Sequence, residues 1–485
     1  MDLLSAVEHW SATNPHLIAQ DSGPRALSYR ELWAGANAVA AHLVRSGIEP
    51  GKPVVIRAQK EPEALIGFLG ALLAGHPYVP VDSGLPDRRV AEIVALARAP
   101  LVLTPEEIAG IASIGGSVPA RSRPPGEVQY LMFTSGSTGR PKGVPITRGN
   151  LTHFLTWMIG EHAFTPQRER FLDQAIYSFD LSVMSVYPAL ATGGTLVPIG
   201  RDDAADPARL FRTLAASRLT VWVSTPTFVQ LCLAEPTFRQ PLLPDLRRFL
   251  FCGEALPAAT ARALLERFPR SEIWNTYGPT EATVAITSVR IDRAVLDRYE
   301  TLPIGRAAPG SRVVVVDEAL RPVAEGDRGE ILIAGPSVSP GYLDAPELTE
   351  RAFLRWEGQW AYRTGDWGRL EGDLLFFDGR RDGQVKLHGY RIELGEVEAN
   401  LRKVPGIRAA VAVVTSRNGT AGLTAFVVPE PWASGTPETS AASLKARLAE
   451  TLPGYMVPRR IRFLEALPMT PNGKLDRQAL VESGR

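Results

Sequence analysis

Short apolar runs alternate with amphipathic helical patterns through much of this 485-residue chain, and no other feature limits its fold so strongly. Ser28-Tyr-Arg-Glu31 reads as a capping box opening a helix that Gly47 closes, with Leu32, Ala36, Val39, Ala40 and Leu43 on its inner face. Residues 54–56 and Tyr78–Val81 read as strands, and Pro62–Ala74 as an apolar helix between them. Past Asp180 the pattern resumes, with strands at Thr195–Pro198, 220–223 and 249–251 and helices at 207–217, 226–233 and 257–268. Such alternation predicts parallel, doubly wound sheets with helices on both faces and ligands at the carboxyl ends of strands. From about Ile286 the texture turns β-rich, at 313–316, 330–333 and 374–377, and predicts a barrel-like subdomain. A charged, glycine-flanked joint at 379–383 precedes a small α+β unit. The expected fold class is therefore α/β. Its large N-terminal domain, residues 1–380, combines doubly wound sheets with a β-barrel-like subdomain. A small α+β C-terminal domain, residues 381–485, follows on a hinge.

Composition narrows the partners. With 45% hydrophobic and 22% charged residues the chain reads as ordinary globular protein. A net charge of +1 supplies no basic field, so no nucleic acid is expected as a partner. The longest apolar run, Ala64 to Gly75, is too short to span a bilayer, so no membrane insertion is expected. Two cysteines without C-x-x-C spacing, and a start without a basic signal region, predict a cytoplasmic location.

The densest local chemistry lies in Thr134-Ser-Gly-Ser-Thr-Gly-Arg-Pro-Lys142-Gly143, directly after the apolar run 128–133. Glycines let backbone N–H groups turn toward an anion, and the hydroxyls of Thr134, Ser135, Ser137 and Thr138 add donors. The loop suits a triphosphate, although a solvated Gly/Ser linker has the same composition. It departs from the Walker form because Pro141 precedes Lys142 and neither Ser nor Thr follows it. Proline there disfavours running straight into a helix.

Further motifs follow in order: Leu27-Ser-Tyr-Arg-Glu-Leu32, Ala74-Gly-His-Pro-Tyr-Val-Pro-Val-Asp82, the phosphate loop, Asn275-Thr-Tyr-Gly-Pro-Thr-Glu281, Tyr362-Arg-Thr-Gly-Asp366, the joint at 379–398, Leu452-Pro-Gly-Tyr-Met-Val-Pro458 and Asn472-Gly-Lys-Leu-Asp-Arg477. Together they resemble the adenylate-forming enzymes, the family of acyl-CoA synthetases, luciferases and amino-acid adenylation domains, over essentially the whole chain. Ser178-Phe-Asp-Leu-Ser182 and the Asn-Gly-Lys ending resemble the amino-acid-activating branch. Gly75-His-Pro-Tyr78, Phe251-Cys-Gly-Glu254 and Lys386-Leu-His-Gly-Tyr-Arg391 resemble members that activate D-alanine. The resemblance implies a ligase that converts ATP and D-alanine to an aminoacyl adenylate. It then loads the alanyl group onto the phosphopantetheine thiol of a carrier protein acting in trans. Its alternative is a loader of L-alanine or another small amino acid in natural-product assembly.

The same resemblance assigns roles. Thr134, Ser135, Gly136, Ser137, Thr138, Gly139 and Lys142 would cradle the ATP phosphates, with Thr134 among the catalytic residues. Tyr277 would stack on adenine and Asn275 would meet its amino edge, within the nucleotide-binding run Thr276, Gly278, Pro279 and Thr280. Glu281 would hold Mg²⁺, although by itself it also suits a cap. Asp366, Phe377 and Arg380 would surround the ribose; Asp366 is acceptor-only when ionised. Asp180 would bind the substrate ammonium, although aspartate is equally favoured as a helix N-cap. Leu181, Met184, Val223, Leu250, Cys252, Thr276, Val284 and Ala285 would line an aliphatic pocket, which implies alanine or a similarly small amino acid. Lys474 lies on a turn, where a lysine is usually only solvated. Here it resembles the lysine that bridges the substrate carboxylate and the α-phosphate.

Overall fold

The computed structural model describes residues 2–119, 121, 123–136, 140–380, 384–387, 390–417, 420–433, 439–469 and 475–483. Its contacts group them into two compact units. One holds 1–83, 97–132 and 143–379, and the other 84–96, 133–142 and 380–485.

Two parallel sheets form most of the first unit, as the alternation predicts. The larger has nine strands, in the spatial order Arg306–Ala307, Thr287–Arg290, Glu272–Tyr277, Arg248–Phe251, Val221–Ser224, Arg170–Asp173, Thr195–Pro198, Ile18–Gln20 and Leu27–Ser28. Its strands from Glu272–Tyr277 to Ile18–Gln20 run parallel, and antiparallel strands close both edges. Alternation of side chains divides two cores across this sheet. Val221, Val223 and Leu250 face one, while Trp222, Phe249 and Phe251 face the other. A five-stranded sheet carries Val54–Arg57, Tyr78–Val81 and Val128–Thr134. The helices that cover it, Tyr29–Arg45 and Pro62–Ala74, pack closely enough that a Cβ on Gly70 would meet Val39 at 2.6 Å. The capping box at Ser28 and Glu31 forms as expected.

The β-rich stretch is a second five-stranded sheet, antiparallel wherever its register is given, built around the 13-residue strand Gln359–Glu371. Among the helices that escape the sequence reading are Leu3–Thr13 and Pro105–Ile114, the latter behind a capping box at Thr104 and Glu107, and the short Arg201–Ala205, Arg293–Arg298 and Pro346–Ala352. After the phosphate loop the chain returns as a strand, Lys142–Thr147. Pro141 accounts for this, since it disfavours the helical start that a Walker loop would make.

In the second unit a hairpin, Gln384–Leu387 with Tyr390–Glu393, precedes the helix Leu394–Arg402. A three-stranded sheet of Ile407–Arg417, Thr420–Pro429 and Arg460–Phe463 follows, with Leu401, Ala412, Val427 and Leu444 in its core. Among the described residues no helix is long and apolar enough to cross a membrane.

Candidate active site

The pocket residues gather where parallel strands of the nine-stranded sheet end. Val223 and Leu250 are register partners on adjacent strands and point to the same core. Cys252 follows directly, and its thiol faces the Val284 carbonyl at 3.7 Å. Thr276, on the next strand, donates to the Phe251 carbonyl at 2.8 Å and lies 4.0 Å from the Met184 sulfur. Leu181 and Met184 come from the turn Asp180–Ser182 and the helix Val183–Thr192. All of these side chains are buried, and none carries a charge.

Val284 and Ala285 are presented by a turn that no local pattern announces. Thr283 and Val284 have φ of 60° and 70°, and Ala285 N–H donates to the Thr283 carbonyl at 2.8 Å. Positive φ at two β-branched residues is strained and persists only where surroundings enforce it. Here Thr283 Oγ1 is held by the Ser337 carbonyl at 2.7 Å. Gly278 makes the close approach possible, since a Cβ there would meet Ala285 Cα at 2.7 Å.

Asp180 caps no helix, because Phe179 occupies the cap position of its turn. The carboxylate is buried and its Oδ2 accepts from Thr280 Oγ1 at 2.5 Å. An ionised carboxylate in such surroundings is costly unless paired, so the position favours a cationic ligand group. The nearby Tyr130 phenol is fully buried, and burial, then the Tyr187 and Asp180 charges, push its pKa well above the usual range. It therefore stays neutral.

The residues expected at adenine and ribose, apart from Arg380, lie in the same unit. Tyr277 donates its phenolic proton to Asp366 Oδ2 at 2.6 Å, and its ring lies 6.5 Å from that of Phe377. Asn275 Nδ2 donates to the Pro303 carbonyl at 2.8 Å, which orients the amide and leaves Oδ1 buried without a protein partner among the described residues. Glu281 is fully buried, and its Oε1 accepts from Tyr342 at 2.8 Å. Tyr342 was not anticipated from the sequence, because nothing local marks a residue so far along the chain as a partner of Glu281. Among the described residues no group of three or more His, Cys, Asp or Glu side chains is arranged to hold a metal ion.

The phosphate-loop residues belong to the second unit. Thr134 Oγ1 is buried without a partner among the described residues. Ser135 Oγ donates to the Arg391 carbonyl at 2.9 Å and accepts from Glu393 N–H at 3.2 Å. Gly136 N–H donates to Glu396 Oε2 at 3.3 Å, and Arg89 holds the other oxygen of that carboxylate at 2.8 Å. Burial nevertheless raises the Glu396 pKa, against the lowering by Arg89 and Gly136. Lys142 begins a strand and Arg380 ends one. Ser137, Thr138, Gly139 and Lys474 lie outside the described residues.

Parallel strands thus converge on the buried carboxylate of Asp180, beside the Tyr277 ring and the Asp366 carboxylate. The chain belongs to the AMP-binding enzyme family, whose model matches residues 7–343, and the model of the family's C-terminal domain matches residues 396–474. These are adenylate-forming ligases that use ATP, and the chain is an enzyme of that class.

Among individual relatives, it is 42% identical to a D-alanine–D-alanyl carrier protein ligase of Bacillus velezensis, with 99% of each chain covered. An enzyme of the same name from Bacillus cereus is 41% identical, again over 99% of both chains. Of solved structures, the Vibrio cholerae adenylation domain AlmE in complex with glycyl-adenosine-5'-phosphate aligns at a TM-score of 0.86 and 25% identity. The alignment covers 99% of this chain and 96% of that one.

Proposed function

We propose that this enzyme activates D-alanine with ATP and passes the alanyl group to the phosphopantetheine thiol of a separate carrier protein. The observation that carries the reading is the similarity, over 99% of both chains, to relatives named for that reaction. It favours D-alanine over L-alanine or another small amino acid. The pocket is consistent with it: Asp180 suits an ammonium, while Leu181, Met184, Val223, Leu250, Cys252, Val284 and Ala285 suit a methyl side chain.

In the first step the alanine carboxylate attacks the α-phosphorus in line, a P–O bond forms, and pyrophosphate leaves. Asp180 fixes the ammonium, so the carboxylate arrives in one orientation. The free acceptor of Asn275 matches the amino group of adenine, and Tyr277 offers its ring as a stacking face. Asp366 would exchange the Tyr277 hydroxyl for the ribose hydroxyls. The buried hydroxyl of Thr134 and the glycine backbone around it are donors of the kind a phosphate chain needs. Mg²⁺, held by Glu281 and phosphate oxygens, would neutralise phosphate charge; a single hard carboxylate fits a metal that arrives with a nucleotide. Lys474 would sit between the two anions as charge builds in the transition state.

In the second step the thiol attacks the alanyl carbonyl, the thioester forms, and AMP leaves. Residues 1–380 act as the core domain and 381–485 as a mobile one. Rotation at Asp382 exchanges Lys474 for the segment 383–393 between the two steps. The reading is of a cytoplasmic enzyme, and both cysteines, Cys232 and Cys252, are buried free thiols.

The test is ATP–pyrophosphate exchange with D-alanine, L-alanine, serine, 2-aminobutyrate and acetate. D-Alanine should give the highest kcat/KM and acetate essentially none. A preference for L-alanine or for acetate would overturn the assignment.

A further inference from the structure

Lys60 lies in the turn between Val54–Arg57 and Pro62–Ala74, on a different sheet from the amino-acid pocket. Its ammonium is buried and donates to Asp173 Oδ1 and to the Ala175 carbonyl, each at 2.6 Å. It also lies 3.8 Å from the centre of the Tyr177 ring. Asp173 ends the strand Arg170–Asp173 and is fully buried. Its Oδ2 accepts from the Tyr177 hydroxyl at 2.9 Å, and its Oδ1 also accepts from Ser185 Oγ at 3.1 Å. Gln20 in turn donates to the Lys60 carbonyl at 2.6 Å, which anchors the lysine's own backbone.

Apart from Lys60 itself, the side-chain partners of Asp173 lie between Asp173 and Ser185. That segment carries Asp180, Leu181 and Met184. The strand before it and the helix after it are regular, but the link 174–179 is not, and the Phe179 N–H to Ile176 carbonyl bond is the backbone turn given within it. A buried ion pair is poor value as a plain staple, since apolar residues of similar size would hold two sheets together as well or better. What the pair does supply is direction. Lys60 holds the start of the link at the Ala175 carbonyl, and the Asp173 carboxylate holds its middle at Tyr177 and the helix beyond it at Ser185.

We propose that Lys60 and Asp173 are positioning residues for amino-acid recognition: the Asp173 carboxylate, balanced by Lys60, sets the course of the link that aims Asp180 at the substrate ammonium. The proposal rests on the reading of Asp180 given above. Neither residue need touch the substrate. Displacement of a binding group by about 1 Å costs up to roughly 100-fold in an enzyme, so a modest shift of the link would be visible in kinetics.

Exchange assays on the full chain separate the possibilities. Lys60→Met leaves Asp173 buried and unbalanced, and should raise the KM for D-alanine by about 10-fold or more while the KM for ATP stays within about 2-fold. Lys60→Met combined with Asp173→Asn removes the unbalanced charge; the asparagine oxygen can still accept from Tyr177, while its NH2 takes the place of Oδ1 and donates to Ser185 Oγ, whose own proton goes to the Ser182 carbonyl at 3.0 Å. This double variant should return the D-alanine KM to within about 3-fold of the parent enzyme. It also guards against failure of the single variant to fold. Equal rises in both KM values would overturn the proposal, as would a lowered melting temperature with the D-alanine KM unchanged. So would a folded double variant as impaired toward D-alanine as the single one. Asp180→Ala is the control for the reading beneath. If that variant keeps D-alanine affinity, the assignment of Asp180 fails; if it loses affinity while Lys60→Met does not, only the positioning proposal fails.

Discussion

The proposed amino-acid pocket and the proposed nucleotide side meet on one strand, Glu272–Tyr277, which carries Thr276 for the first and Asn275 and Tyr277 for the second, yet they are held in opposite ways. Around Asp180 the polar groups have committed partners: Thr280 on the carboxylate, Phe251 on Thr276, Ser337 on Thr283. The walls are buried, and the turn at Thr283 and Val284 is strained into place. On the proposed nucleotide side one acceptor of Asn275 has no protein partner among the described residues, and the Tyr277 hydroxyl is bound to Asp366. The first region is prepared for a ligand of fixed shape, and the second holds its polar groups in pairs that a ligand replaces. Selectivity among small amino acids needs rigid walls, because one methylene is worth only about 1–3 kcal/mol and any slack erases it. A nucleotide brings enough hydrogen-bonding groups to repay the exchange.

The contrast can be broken in three places. Asp180→Ala carries the largest expected effect. A site built around a polar group rejects ligands it cannot pair, by roughly 10⁴-fold, so D-alanine-dependent exchange should fall on that order. ATP affinity, measured by calorimetry, should change by less than about 3-fold. A comparable loss of ATP affinity would mean that the two regions are not separable.

Tyr277→Ala should act in the opposite sense. It removes a stacking face of the kind worth about 1–3 kcal/mol and frees Asp366 from its internal partner, so the KM for ATP should rise by roughly 10- to 100-fold. The KM for D-alanine should stay within about 3-fold. A larger rise for D-alanine than for ATP would reverse the assignment of the two regions.

The smallest effect sharpens the comparison through stability rather than rate. His162, at the end of the helix Arg148–His162, packs edge-on against Trp274 with ring centroids 4.8 Å apart, on the strand that bears Asn275 and Tyr277. Burial, with a smaller contribution from Arg248, lowers its pKa from 6.5 to about 3. The folded protein keeps this imidazole neutral while the unfolded chain takes up a proton below pH 6.5. The stability it contributes is therefore fully present above that pH and lost as pH falls toward 3, at up to about 1.4 kcal/mol per unit. His162→Phe should flatten the acid limb of denaturant-unfolding stability between pH 6.5 and 4.5 and leave both KM values unchanged at pH 8. An acid limb as steep as the parent's would show that another group controls it.

Much of this architecture is legible in the sequence, for physical reasons that can be named. The capping box at Ser28, the helix Pro62–Ala74 and the strand Val128–Thr134 follow from hydrophobic period and capping chemistry, both of which act over a few residues. The departure of the phosphate loop from a Walker arrangement follows from Pro141 and from Gly143 where a Ser or Thr would stand, and the strand Lys142–Thr147 agrees with it. The loop after Phe133 and the turn after Trp274 could be marked as ligand places because parallel sheets gather ligands at strand ends, whereas the individual pocket residues were implied by the family resemblance. The helix Pro105–Ile114 also carries a capping box readable in the sequence, at Thr104 and Glu107.

The rest had no local signal. Tyr342 reaches Glu281 across 61 positions, and Lys60 reaches Asp173 across 113. The positive φ values at Thr283 and Val284 run against the preferences of those residue types, so reading them in isolation predicts the wrong conformation. The sequence by itself determined the alternation of strands and helices and the order of most of the elements, because period, caps and turn residues act between near neighbours. Only the tertiary structure decided that Asp180 faces Thr280 rather than a helix end, that Asn275 Oδ1 meets no partner among the described residues and that a buried lysine reaches Asp173 and the Ala175 carbonyl. Those outcomes depend on distant segments meeting in a desolvated interior, where each polar group must be paired and the pairing cannot be read from either strand alone.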